Sequence, residues 1–287
     1  MALASPHFLT AGNLLNVSLQ ASITAIIAAG MTFVILTGGI DLSVGSVVAM
    51  AGILGTLAAK GGPPALAPWI ALAAAAGFGA LSGGGAGLLV TRFRIAPFIV
   101  TLALMTVWRG TAFVITEGRP VWELPESFGA LGGSRQLGVP LPTWITALVF
   151  LAGHVVLSHT RFGRHVYAVG GNAEAARLAG IRTARVTAAV YVISGALAAV
   201  SGVLLASRMN SGQPNAGIMY ELDAIAAVVV GGTSITGGRG SVARTLVGAL
   251  LIAVLKNGLN LLDVNSYLQQ VVVGVVILVA VLFDRRP

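Results

Sequence analysis

The sequence predicts an all-α, polytopic integral membrane protein, a helix bundle of about nine transmembrane helices. Three observations predict it. The 287 residues are 56% hydrophobic and 9% charged, with a mean hydropathy of +0.91, where a water-soluble domain carries about 25% charged residues. Apolar runs of roughly the 20 residues that cross a bilayer recur along the whole chain. Most arginines sit in a few short breaks between those runs, the pattern of loops held on the cytoplasmic side.

In chain order, the strong candidate spans run near 16–37, 66–91, 95–116, 186–207 and 264–283. Shorter or weaker ones lie near 42–59, 143–159, 223–238 and 242–262. Threading nine spans with the C-terminus in the cytoplasm puts four basic clusters on one side. They are Arg92 with Arg94; Arg161, Arg164, Arg177, Arg182 and Arg185; Arg239 with Arg244; and Arg285 with Arg286. The opposite side collects Glu117, Glu123, Glu126 and Asp263. Lipid admits only helices or closed barrels, because unpaired backbone groups are too costly there. These runs are too long and continuous for barrel strands. Among the 38 glycines, Gly83-Gly84-Gly85-Ala86-Gly87 and Ser194-Gly195-Ala196 are expected to let helices approach closely.

The segment Gly163–Ile181, GRHVYAVGGNAEAARLAGI, is a polar, arginine-bearing insert. It reads as a short helix presented outside the membrane for docking, or as an ordinary cytoplasmic loop. Asn172 is placed to cap the helix start through its side-chain oxygen. Glu174 in the first turn and Arg177 toward the end follow the order the helix dipole favours. Gly180 supplies the left-handed residue that stops it.

Two glycine-broken segments look alike across the halves: Gly38-Gly39-Ile40-Asp41-Leu42-Ser43-Val44-Gly45 and Gly231-Gly232-Thr233-Ser234-Ile235-Thr236-Gly237-Gly238. Paired interruptions of this kind point to a pathway formed by discontinuous helices. Asp41 carries a charge into apolar sequence, so it is either a functional carboxylate or an N-cap for the next helix. The run Ser211-Gly212-Gln213-Pro214-Asn215-Ala216-Gly217, leading to Tyr220-Glu221-Leu222-Asp223, lies on the outer side in this threading. Its amides, carboxylates and aromatic ring suit a neutral polyhydroxy ligand, or simply a solvated loop ending in an acidic cap. The outer loop 117–142, with Glu117, Arg119, Glu123, Glu126 and Arg135, suits salt-sensitive docking of a soluble partner.

Several chemistries are excluded. Gly232–Arg239 lacks the Lys-Ser/Thr end of a phosphate-binding loop, so ATP must be handled by another chain. His7, His154, His159 and His165 lack metal-ligand spacing, and nothing resembles a nucleophile elbow. There are no cysteines for disulfides or metal ligation. A net charge of +8, confined to topology-setting loops, does not indicate nucleic acid. MALASPHFL lacks the basic start of a cleavable signal peptide. Neither an enzyme nor a cofactor or metal site is expected.

The segments TGGIDLSVGS (37–46), GRHVYAVGGNAEAARLAGI (163–181), YELDAIAAVVVGGTSITGGRGS (220–241) and KNGLNLL (256–262) resemble the membrane permease subunit of ribose-type ABC sugar importers. That family also includes branched-chain amino acid permeases, which share the DLSVG pattern. The similarity runs from about Pro6 to the end. It implies a multi-pass protein of the bacterial cytoplasmic (inner) membrane, comprising one permease domain over 1–287. It further implies a second permease subunit, expected as a homodimer, two cytoplasmic ATPases and an extracytoplasmic solute-binding protein. The loop matching 163–181 would be the coupling helix seated on the ATPase, with Gly170, Asn172, Glu174, Ala175, Arg177 and Gly180 as coupling positions. Asp41, Ser43, Gln213, Asn215, Glu221 and Asp223 match motif positions along the translocation path. Family members usually have another apolar span before SPHFLTAGNLLN, giving ten helices; this chain is expected to lack it.

The expected function is therefore passage of a monosaccharide or related polyol, coupled to a separate ATPase. The runner-up is the same machine carrying a branched-chain amino acid, where a zwitterion would make Asp41 and Glu221 matter more. The third reading is an ion-coupled secondary transporter using Asp41 or Glu221, which would have no need of a docking helix.

Overall fold

The computed structural model describes residues 7–284, and the Arg285–Arg286 cluster lies outside them. Twelve α-helices make up nearly all of it. They are α1 (Ala11–Leu36), α2 (Val44–Gly61), α3 (Ala67–Arg92), α4 (Pro97–Thr116), α5 (Glu126–Gly133), α6 (Leu141–His159), α7 (Arg161–Gly171), α8 (Ala173–Leu178), α9 (Thr183–Met209), α10 (Tyr220–Val230), α11 (Val242–Leu261) and α12 (Ser266–Asp284). A two-residue hairpin, β1 (Arg135–Gln136) and β2 (Val139–Pro140), is the sole sheet among the described residues. Proline stands at the first or second position of α3, α4 and α6, where its missing N–H leaves no bond unmade.

Helices α1 and α9 form the centre. From Ala21 onward α1 is buried almost all round, as expected of a uniformly apolar helix enclosed by others. Around them stand α2, α3, α6 and α11, with apolar faces such as Leu81, Leu148 and Leu251 turned outward to the lipid that their sequences predict. The expected close approaches occur. Gly79, Gly83 and Gly87, one per turn of α3, lie against the α9 backbone at Gly195, Tyr191 and Ala188. Gly52 of α2 meets Gly202 of α9 in the same way. With no apolar solvent effect to drive association in lipid, this intimate packing is what holds such helices together.

Among the described residues, seven helices are long and apolar enough to cross a membrane: α1, α2, α3 with the 3-10 turn before it, α4, α6, α9 and α11. Helix α12 follows at the predicted place, with its apolar stretch Ser266–Ala280. The ninth expected span, 223–238, is corrected. Helix α10 stops at Val230, so its 11 residues reach about 16 Å, roughly half of the ~30 Å hydrocarbon layer. Gly231, Gly232, Gly237 and Gly238 then reverse the chain, the last three at positive φ. Apolar composition carried the sequence reading past a turn that only glycine conformation makes.

Depth along α9 locates the breaks. Asp41 bonds Ser194, which stands eleven residues into α9 and so about 16 Å from its Thr183 end. Helix α2 therefore begins near mid-depth. Gly217 lies against Val48, and Val48 lies against Gly202, seven residues and about 10 Å short of the outer end of α9. The segment 211–219, expected to be a surface loop, dips that far into the bundle before α10 begins.

Candidate coupling and translocation site

The insert 163–181 forms two helices rather than one, broken at Asn172, whose extended backbone (φ −160°, ψ 102°) ends α7 and starts α8. Asn172 Oδ1 accepts the Ala175 N–H at 2.9 Å, the predicted cap. Gly180, at φ +84°, closes α8 with Gly180 N–H to the Arg177 carbonyl and Ile181 N–H to the Ala176 carbonyl, both 3.0 Å. That paired arrangement satisfies the last carbonyls through a left-handed residue. Arg177 donates to both Glu174 oxygens, at 2.6 and 3.0 Å. These bonds and the guanidinium charge hold the Glu174 carboxyl below its ordinary range. Asn172, Glu174, Ala175, Arg177 and Gly180 are all exposed. Beside them Leu178 is 75% exposed, an apolar knob that reasoning from charge alone passed over.

Gly170 sits elsewhere. A Cβ there would strike the Leu36 carbonyl oxygen and lie 2.5 Å from the Gly238 nitrogen. The Gly238 N–H donates to that same Leu36 carbonyl at 2.9 Å. A Cβ on Gly237 would lie 2.9 Å from the Gly38 nitrogen and 3.1 Å from the Gly170 oxygen. The Tyr167 hydroxyl donates to the Gly240 carbonyl at 3.0 Å. So the end of α7 is joined, backbone to backbone, to both glycine-broken segments. The sequence paired those segments by likeness; the fold makes them neighbours and adds α7 as a third party. It also places the Arg239–Arg244 cluster on the same side as the arginines of 161–185.

Asp41 is 1% exposed. Its Oδ1 accepts the Ser43 N–H (3.0 Å) and hydroxyl (2.6 Å), and its Oδ2 accepts the Ser194 hydroxyl (2.9 Å). Both oxygens are thus engaged in tying the start of α2 to α9, and Ser43 is buried with it. The α10 break is held differently. Arg109, from α4, donates to the carbonyls of Pro214 (2.8 Å), Ala216 (2.6 Å) and Gly45 (3.2 Å), joining segment 211–219 to the first turn of α2. A Cβ on Gly45 would strike Glu221 Oε2, and Glu221 is the acidic neighbour of Arg109. Both helix breaks therefore converge at depth on one arginine that the sequence reading did not single out. An arginine inside a predicted span was the available signal.

Of the remaining expected positions, Gln213 donates to the Ser211 hydroxyl (3.2 Å) and Asn215 is exposed. Asp223 is buried and accepts from Lys256 of α11 at 2.5 Å. No group of metal-ligating residues occurs among the described residues.

Residues 13–281 match the family model described as branched-chain amino acid transport system / permease component. The chain is 49% identical over 286 residues to the ribose import permease protein RbsC of Escherichia coli K12, covering 98% of this chain and 88% of that one. It is 48% identical over 289 residues to the ribose import permease protein of Bacillus subtilis 168, at 100% and 88% coverage. Against the L-arabinose transport system permease protein AraH of E. coli K12 it is 39% identical over 284 residues, at 99% and 86%. No solved structure matches it. The chain belongs to the branched-chain amino acid transport system permease family, among whose members are permeases for pentoses.

Proposed function

We propose that this chain is the membrane permease subunit of an ATP-driven importer of a small sugar, ribose or a related pentose. It is a multi-pass protein of the bacterial cytoplasmic membrane whose 1–287 residues act as one permease domain. It forms the path, while a separate cytoplasmic ATPase pair supplies the energy and an extracytoplasmic binding protein delivers the sugar. Two identical copies complete the pore.

One observation carries the reading. Helix α8 is capped at both ends, exposed, and joined through Gly170 to the breaks that precede α2 and follow α10. Force applied at α8 thereby reaches the residues that set the depth of both half-buried helix starts. Asn172, Glu174, Ala175, Arg177 and Gly180 shape the docking face, and Leu178 supplies its apolar contact. Gly170 is the joint behind it. Asp41 and Ser43 fix the start of α2. Gln213, Asn215, Glu221 and Asp223 line the segment through which substrate enters. A secondary transporter has no use for an exposed lever of this kind.

The test is co-purification from the native membrane, followed by reconstitution with whatever remains bound. Recovery of an ATPase, with ATP-dependent uptake of ribose or arabinose, is the expected result. Uptake of leucine instead would move the substrate to a branched-chain amino acid, and uptake driven by an ion gradient without an ATPase would refute the importer reading.

A further inference from the structure

The loop that follows α4 reaches back into the bundle at one place. Val121 and Gly212 form an antiparallel bridge. The Val121 N–H donates to the Gly212 carbonyl at 2.8 Å, and the Gly212 N–H to the Val121 carbonyl at 3.0 Å. The Val121 side chain packs on a cluster of Met50 and Ile53 from α2 with Ala112 from α4. One residue on, the Lys60 ammonium, in the last turn of α2, donates to the Trp122 carbonyl at 2.9 Å and lies 3.6 Å from the Glu123 carboxylate. Glu123 has left-handed backbone (φ +61°), a conformation that a non-glycine residue keeps only where its surroundings impose it. Gly212 is pressed against α2, since a Cβ there would lie 2.5 Å from Thr56 Oγ1 and 3.3 Å from the Ile53 Cα. Ile53 stands eight residues, and so about 12 Å, from the Gly61 end of α2. Residues 121–123 therefore tie segment 211–219, the lead into α10, to the second half of α2.

We infer that residues 121–123 are a releasable strap, resting on the importer reading. Closed, the strap holds segment 211–219 against α2; it lets go each time the importer opens outward. The joint is small for its position. Two backbone bonds and one lysine open far more readily than the long helices they span. Its place relative to α10 gives release a consequence. The far end of α10 runs into Gly231–Gly238, which meets α7 at Gly170. Its lead is held by Arg109 at Pro214 and Ala216 and by the strap at Gly212. The lead is not free to leave α2 while the bridge is intact, and a shift of α10 on release is felt at the α7 junction behind α8.

Amide hydrogen exchange in the full importer, reconstituted with its ATPase and binding protein, reads the bridge directly. Peptides covering 119–125 and 209–215 are expected to exchange slowly at rest. Both should exchange at least about tenfold faster once binding protein and a non-hydrolysable ATP analogue are added. Lys60→Met keeps the aliphatic stem and removes the donor, so it lowers the cost of release. ATP hydrolysis without binding protein should then rise about fivefold, the shift that one lost hydrogen bond gives, and Lys60→Arg should restore the wild-type rate. Val121→Pro, which deletes the bridge N–H, should act like Lys60→Met. Exchange of both peptides that is unchanged between the two states refutes the strap, as does a wild-type basal rate in folded Lys60→Met. Wild-type importer whose hydrolysis does not respond to the binding protein would instead refute the importer reading itself.

Discussion

Gly170→Ala is the sharpest single perturbation of the coupling route. The added Cβ would collide with the Leu36 carbonyl oxygen, 2.5 Å from the Gly238 nitrogen and 2.9 Å from the Leu36 carbonyl carbon. All of these are backbone atoms, so no side-chain rotation relieves the clash. Three segments must part, and the 2.9 Å Gly238–Leu36 hydrogen bond is the first casualty. Overpacking of this kind costs about 1–3 kcal/mol, and the lost bond adds about 1 kcal/mol. A total of about 2–4 kcal/mol exceeds what is needed to shift a two-state equilibrium by tenfold, about 1.4 kcal/mol. The assay is ATP-dependent sugar uptake in proteoliposomes, normalised to membrane abundance, with Gly171→Ala as the control. A methyl group added at Gly171 would meet nothing within 4 Å, so that variant should transport like wild type. Gly170→Ala should lose at least about tenfold in uptake. Wild-type uptake by Gly170→Ala at normal abundance would refute the idea that this junction carries the stroke.

Three further outcomes follow from the same geometry. Arg109→Met strips three backbone carbonyls of their donor, at a cost of about 2–4 kcal/mol; thermal unfolding of the detergent-solubilised protein should fall accordingly, and an unchanged midpoint would show the arginine to be dispensable for anchoring the breaks. Leu178→Asp places a charge where an apolar side chain would be covered, forfeiting about 1–2 kcal/mol of docking energy; the ATPase should no longer co-purify, and full recovery would remove α8 from the interface. The Glu174–Arg177 pair has a pH signature of known sign. Because the carboxyl is held low, the pair's contribution is complete above the ordinary glutamate value and is lost only as pH falls through the lower folded one. Uptake should therefore be flat between about pH 6 and pH 8 with respect to this pair, and a titration in that window abolished by Glu174→Gln would overturn the assignment.

Much of this protein was readable from local chemistry. The Asn172 cap and the Gly180 stop depend on residues within a few positions of each other, so the stretch 172–181 specified its own conformation. The close packing of α3 was visible in the glycine stretch 83–87, though not its one-per-turn row, and the spans were visible as apolar runs. Other features were not legible because their cause is remote in sequence. The reversal after Val230 was hidden because apolar composition continues through the turn. The paired breaks were noticed, but the sequence aligned 38–45 with 231–238, whereas the segment that meets the start of α2 at depth is 211–219.

What the sequence by itself determined is the class of the molecule, most of its spans and the capped helix over 172–181, since hydropathy and helix capping both act over a turn or two. Only the tertiary structure decided that Gly170 is a joint rather than a contact, that Asp41 spends both oxygens on Ser43 and Ser194, and that Arg109 and Lys256 reach across to the α10 segment. Apart from the local Asp41–Ser43 bonds, those pairings join residues from about thirty to about 150 positions apart. Their partners are set by which helices pack together, and no local pattern records that choice.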